Sequence, residues 1–282
     1  MKGRIIKNIA DRYTVEADGE RYVSYLSGKL KAREDIYVGD FVEIKKGHKN
    51  VCTIEKLYPR KNLINRPHVS NIDLLLIFVS PIPEPDPYLV DKLIVAANMN
   101  DIEPVICVNK SDITDVIYGY YAKNYLNVCK VFSLNCLESE LGELPDYIRG
   151  KTVALVGQSA SGKSTFVNAL TGLSVKIGEL SNIERGKNTT RHIEIYIKNG
   201  FEIADTCGFS AFAFSIPHYE LYKYYYDYME YQSKCKFKTC THTDEPDCEI
   251  KKLVENGTLS ADRYERYVRM FLELKDIYEN RF

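Results

Sequence analysis

Apolar and polar positions along this chain change rhythm twice, and each change predicts a different kind of structure. Over residues 1–65 short stretches alternate the two classes: 4–9, 12–17, 21–24, 41–44 and 51–57. Asp18-Gly19 between two of these runs is a hairpin signal. Five short strands without a helical period predict a small closed barrel of the OB or SH3-like kind. The alternative is a β-extension packed on the domain that follows.

From Asn71 onward the runs become continuous. Residues 72–79 are almost wholly apolar, as expected of a strand buried on both faces of a parallel sheet. A Pro-rich loop at 81–87 ends this run, and Leu89, Leu93, Ala96 and Ala97 give 88–98 a helical period. A strand at 104–108, a helix within 114–126 and a strand at 128–133 follow. Next come a buried strand at 152–156, a Gly-rich turn, a helix from Lys163 to about Leu170, and a hairpin of 192–197 with 201–204. Strands alternating with helices predict a doubly wound α/β domain over 66–215. Residues 216–282 are rich in Tyr, Lys and Glu and close in a helix at 260–277 capped by Ser260, so a mainly helical tail is expected.

With 282 residues, 45% hydrophobic and 27% charged, the chain is globular in composition rather than disordered. Its longest apolar run is far short of the roughly 20 residues of a membrane span, so no membrane partner is expected. The first residues lack the apolar stretch of a secretory signal. Eight cysteines are too few for a disulfide scaffold at this length, which points to a reducing, cytoplasmic setting. The net charge of −1 divides into +5 over residues 1–65 and −6 over the remainder, a weak hint of a polyanion partner for the barrel.

The clearest chemistry is Gly157-Gln158-Ser159-Ala160-Ser161-Gly162-Lys163-Ser164-Thr165, which fits G-x4-G-K-[ST] between an apolar strand and a helix. Glycines let successive N–H groups turn toward one point, and the helix N-terminus adds partial positive charge there. Lys163 would neutralise β- and γ-phosphates, and the Ser164 hydroxyl would ligate Mg²⁺. Asn109-Lys110-Ser111-Asp112, directly after a strand, reads N-K-x-D. A carboxylate at Asp112 accepts from both guanine donors and would be stranded against adenine. Asn109 and Lys110 would hold neighbouring loops, and Ser133 to Asn135 would complete the base pocket through backbone groups. Asp205-Thr206-Cys207-Gly208 reads D-x-x-G: Asp205 would hold the Mg²⁺ shell through water and Gly208 N–H would bond the γ-phosphate. In the polar stretch 185–191, Thr189 or Thr190 would ligate Mg²⁺ only while the γ-phosphate is present, a switch. Nucleotide loops all lie at the carboxyl ends of parallel strands. A chain that meets N-K-x-D before the phosphate loop is therefore a circular permutation that leaves the pocket intact.

Cys235, Cys240, His242 and Cys248 supply three thiolates and an imidazole within 14 positions. The set suits a tetrahedral structural Zn²⁺ with no open coordination site. Cys52, Cys107, Cys129, Cys136 and Cys207 are scattered and read as ordinary free thiols. The tyrosines crowded between Tyr219 and Tyr231 read as packing groups, with base stacking as the alternative.

The barrel, N-K-x-D ahead of G-x4-G-K-S, a switch of the form R-G-x-x-T-T, D-T-x-G-F, and C-x4-C-x-H-x5-C before a helix resemble the ribosome small-subunit-dependent GTPase A family. The resemblance covers nearly the whole chain. It implies an OB-fold barrel at 1–65, a circularly permuted P-loop GTPase domain at 66–215 and a zinc domain at 216–282. Together they would form a monomeric late assembly factor of the 30S subunit that binds 16S rRNA. Hydrolysis would be stimulated by the subunit and would accompany release; an rRNA-binding module holding GTP or GDP as a static ligand is the alternative. The chain departs from the family at Asn188, where a histidine proposed to position the attacking water is usual, and at Cys207, where proline is usual. Phe209 supplies no water-orienting group either, so slow intrinsic hydrolysis is expected, with Lys163, Thr189, Thr190, Asp205, Gly208 and Asn188 around the reacting phosphate.

Overall fold

The computed structural model describes residues 1–31, 35–47, 51–65, 68–172, 194–205, 214 and 216–280. Five strands, β1 (Lys2–Ile9), β2 (Arg12–Ala17), β3 (Glu20–Leu26), β4 (Phe41–Lys46) and β5 (Val51–Leu57), open the chain, with a single turn of helix, α1 (Gly28–Lys31), before β4. β1 pairs with β2 and with β4, β2 with β3, and β5 with β3 (parallel) and β4, so the ring closes. Closure leaves no free sheet edge. Ile5, Val15, Val42, Ile44 and Ile54 alternate inward and are fully buried. The closed ring in the order β1-β2-β3-β5-β4 decides for an OB-like barrel against a β-extension.

A hairpin that the sequence pattern did not reveal, β6 (Leu63–Asn65) and β7 (His68–Ser70), leads into the α/β part. There the chain forms β8 (Leu74–Val79), α2 (Pro87–Asn98), β9 (Glu103–Asn109), α3 (Val116–Asn124), β10 (Lys130–Leu134), α4 (Leu144–Ile148), β11 (Thr152–Gly157), α5 (Lys163–Thr171), β12 (Glu194–Lys198) and β13 (Phe201–Asp205). Every residue of β8 is buried. Pro87 opens α2 and Asp86 caps it, accepting from the Tyr88 and Leu89 amides. The sheet runs β10-β9-β8-β11-β13-β12, parallel except for β12. The chain enters at β8, runs outward to β10, then returns to β11 beside β8, crosses to β12 on the other side and folds back to β13 beside β11. The direction of winding therefore reverses between β8 and β11, where doubly wound sheets bind their ligands.

Residues 216–280 hold two 3₁₀ segments, His218–Tyr224 and Gln232–Lys234, and the helices α6 (Tyr226–Met229), α7 (Glu249–Glu255) and α8 (Ala261–Glu279). Ser260 Oγ accepts from the Arg263 amide at 3.2 Å, the expected cap. Tyr225, Tyr228 and Tyr267 are fully buried together with Leu221, Met270 and Leu274, and this core is completed by Tyr88 and Val95 of α2. Most of the crowded tyrosines thus pack, whereas Tyr219 and Tyr226 are exposed. Among the described residues no helix is long and apolar enough to cross a membrane.

Candidate functional site

The phosphate loop follows β11 at the winding reversal. Gly157 has φ +131°, and a Cβ there would collide with the Phe78 carbonyl oxygen of β8. Gly162 has φ +99°, and a Cβ there would collide with the Asn109 side chain. Both positions therefore require glycine, the first for the close approach of two strands and the second for the joining of two loops. Ala160 also takes a left-handed conformation, φ +63°. Ser159 and Ala160 are exposed, while Ser161 is buried and its hydroxyl donates to Gln158 O at 2.9 Å. Ser164 and Thr165 sit in the first turn of α5, half-buried. Lys163 Nζ donates to Gly157 O at 2.9 Å and Gln158 O at 2.7 Å, which curls it over its own loop. Burial lowers its pKa to about 8, because a desolvated ammonium is disfavoured.

N-K-S-D lies at the carboxyl end of β9. Asn109 is buried; its Nδ2 donates to Ser161 O at 2.9 Å and its Oδ1 accepts from the Cys136 amide at 3.0 Å. One side chain thus ties the phosphate loop to the turn after β10. Lys110, with φ +65°, donates from Nζ to the Ile82 carbonyl, and so ties the Pro-rich loop to the same rim. The Ser111 amide donates to Leu134 O at 3.1 Å. Asp112 is exposed on that rim. Ser133 lies within β10, paired with Val108, and the strand spans Lys130–Leu134 where the hydrophobic pattern suggests 128–133. The loop group after β10 that meets the Asn109 side chain is the Cys136 amide. The Asn135–Glu140 amide pair, at 2.9 Å in both directions, closes this turn. Cys136 was missed because only its backbone is used, and a backbone donor leaves no mark on residue type.

Asp205 is the last residue of β13, with Glu194 as its register partner. Asn188, Thr189, Thr190, Cys207, Gly208 and Phe209 lie outside the described residues. A cavity of about 990 Å³, lined by Ile102, Tyr118, Val128 and Phe132 among others, adjoins β9 and β10 near their amino ends and is separate from the nucleotide loops.

In the tail, one ligand atom from each of Cys235, Cys240, His242 and Cys248 lies within 4.8 Å of all the others. His242 Nδ1 is 3.4 Å from Cys248 Sγ and 3.7 Å from Cys235 Sγ, so Nδ1 faces the centre. Burial holds the imidazole pKa down at about 4, which keeps His242 in the neutral form a metal requires. Burial raises the Cys240 and Cys248 thiols, a cost that a cation between them removes. Glu245 accepts from the Thr241 amide and hydroxyl at 2.7 and 2.8 Å and from the Thr243 amide at 3.1 Å, shaping the turn that carries His242. Tyr264 Oη donates to His242 O at 2.8 Å and Tyr267 Oη to Thr241 O, so α8 anchors the whole knuckle. The cluster fits a four-coordinate structural ion with no site left for substrate. Cys52, Cys107 and Cys136 are buried free thiols and Cys129 is half-buried.

The family model described as RsgA GTPase matches residues 57–215. The chain is 33% identical to the small ribosomal subunit biogenesis GTPase RsgA of Caldanaerobacter subterraneus subsp. tengcongensis, with 100% of this chain and 98% of the relative covered. It is 37% identical to the protein of the same name from Clostridium acetobutylicum, over 95% and 96% of the two chains. Among solved structures it is similar to YjeQ from Thermotoga maritima, with a TM-score of 0.85 and 32% identity over 97% of this chain and 98% of the other. It is also similar to YloQ, described as a circularly permuted GTPase, with a TM-score of 0.83 and 30% identity over 98% and 95%.

Proposed function

Because the chain belongs to the RsgA GTPase family, we propose that it is a GTP-hydrolysing factor in the biogenesis of the small ribosomal subunit. The domains are a 16S rRNA-binding barrel over 1–65, a permuted GTPase domain over 66–215 and a zinc-bearing tail over 216–282. It acts as a cytoplasmic monomer on the 30S subunit and leaves when GTP is hydrolysed. Asp112 reads guanine. The loop Gly157 to Thr165 cradles the phosphates, with Lys163 on the β- and γ-oxygens. Ser164 and Thr190 would ligate Mg²⁺, which would supply neutralisation of phosphate charge. Asp205 holds the ion's water shell.

The observation that most supports this reading is Asn109, which donates to Ser161 O at 2.9 Å. Through it the base-reading and phosphate-binding stretches, separated by more than forty residues, share one crevice. GTP hydrolysis is expected to rise at least about tenfold when 30S subunits are added; an equal rate with and without subunits would refute the switch and favour a static nucleotide in an RNA-binding module. The same protein should prefer GDP to ADP steeply. Asp112→Ala should remove about 2–3 kcal/mol of that preference, the cost of leaving two guanine donors unpaired. Competition titration with both nucleotides reads this directly.

The Cys₃His knuckle is assigned to zinc, since thiolate-rich tetrahedral sets select it. About one zinc per chain is expected by elemental analysis, and Cys240→Ser should release it and expose the tail to protease. Full protease resistance after metal removal would contradict a structural role.

A further inference from the structure

Strand β1 belongs to the barrel, yet two of its side chains grip the hairpin β12–β13. Arg4 is buried. Its Nη1 donates to Thr152 Oγ1 on β11 and to Glu202 on β13, its Nη2 to Asn71 O at 2.9 Å, and its Nε to Gly39 O at 3.2 Å. Thr152 Oγ1 also donates to Glu202 Oε2 at 2.8 Å, so Arg4, Thr152 and Glu202 form a closed triangle. Further along β1, Lys7 is the register partner of Glu194, the first residue of β12, and its Nζ lies 2.6 Å from Glu194 Oε2. Among the described residues this rung merges the barrel and the α/β sheet into one sheet of eleven strands.

An apolar side chain would dock the barrel at lower desolvation cost than a buried arginine, since buried ion pairs contribute little net stability and are best suited to fixing register. The strands they touch are also informative. β13 ends at Asp205, three residues beyond Glu202, a reach of about 10 Å. β11 ends at Gly157, five residues beyond Thr152, and β12 begins four residues after Thr190. Each strand held by β1 is therefore continuous with a stretch that the reading above places around the γ-phosphate or Mg²⁺.

We propose that Arg4 and Lys7 are positioning residues that couple the barrel to the hairpin β12–β13, so that what the barrel grips alters hydrolysis and the nucleotide alters the barrel. The coupling rests on the GTPase reading above. Linkage makes it reciprocal, so it is measurable without a ribosome.

The test is hydrogen–deuterium exchange on the full chain saturated with GDP or with a non-hydrolysable GTP analogue, with both affinities titrated in parallel. In the wild type, amides of β1 are expected to exchange at rates about fivefold or more apart between the two states. Lys7→Ala, at a partly exposed position, should abolish that difference while both affinities stay within about twofold, far less than the loss of a phosphate contact would cause. The charge exchange Lys7→Glu with Glu194→Lys should restore it, which a merely structural rung would not predict. Arg4→Lys keeps the charge, loses the fork of donors, and should lower the difference. Identical β1 exchange in both states, or a difference untouched by Lys7→Ala and Arg4→Lys, overturns the proposal. So does loss in Lys7→Ala without rescue by the exchanged pair. Failure of the GTPase reading shows separately, as no binding of either guanine nucleotide, and takes the coupling with it.

Discussion

Lys163→Ala is expected to lower GTP hydrolysis by about a thousandfold, the scale on which a preorganised charge at a transition state acts. The side chain is rooted in the first turn of α5 and Nζ is already held over the loop by Gly157 O and Gln158 O. It needs little rearrangement to meet the phosphate oxygens, so it stabilises the bound nucleotide and, more strongly, the charge that develops in the transition state. A second signature belongs to the same ammonium. Burial lowers its pKa to about 8, and phosphate charge would raise it again, so the bound form carries more protons than the free form above that pH. Guanine-nucleotide affinity should be flat below pH 8 and fall above it, by up to about tenfold per pH unit. The alanine variant should lose this slope. An alanine variant that hydrolyses GTP within tenfold of the wild-type rate would exclude Lys163 from the chemistry.

Arg263→Met should be the most destabilising single change considered, at about 3–5 kcal/mol. Arg263 is buried between Asp91 of α2 and Asp227 of α6: Nε lies 3.3 Å from Asp91 Oδ1, and Nη1 donates to Asp227 Oδ2. Its guanidinium stacks over Tyr225 at 4.5 Å. Burial alone would depress its pKa, but Asp227 and Asp91 push it well up, so it stays charged. Methionine would fill much of the space and make none of these bonds. Asp91 would keep Arg266. Asp227, whose other oxygen has no hydrogen-bond partner, would be left with its charge uncompensated in the interior. Restoring an apolar partner by adding Asp227→Leu should recover part of the loss, because the uncompensated charge is the larger share of the cost. The measurement is urea unfolding followed by circular dichroism, with protease sensitivity of 216–280 to locate the weakness. A loss below 1 kcal/mol would mean that the tail is held to α2 by its aromatic core alone.

The structure separates residues whose roles could be read one stretch at a time from those whose roles could not. The motifs that hold Gly157, Gly162, Lys163 and Asp112 stand out in the sequence because phosphate and guanine sites each use particular groups at fixed local spacing, and spacing is a property of the chain. Cys235, Cys240, His242 and Cys248 were legible for the same reason, since a tetrahedral ion needs four donors within reach. The long buried strand β8 and the amphipathic α2 showed their periods. The single-turn helices α1 and α6 and the hairpin β6–β7 did not, because three or four residues span too little of a period to display one. Cys136 escaped the sequence pattern because it acts through its backbone amide.

Residues in a row give a G-x4-G-K-S loop, an N-K-x-D turn and a Cys₃His set at metal-ligand spacing, in an order that permutes the usual one. That order could place the motifs in one crevice only if β8, β9 and β11 lay side by side, and sheet order is set by pairing across the chain. Tertiary structure alone decided that the barrel closes, that Asn109 seats one loop on the other, and that Arg4 meets Glu202 across 198 positions and Arg263 meets Asp91 across 172. No local pattern selects such partners. A buried charge is tolerable only beside its opposite, and which opposite lies beside it is known only after the chain has folded.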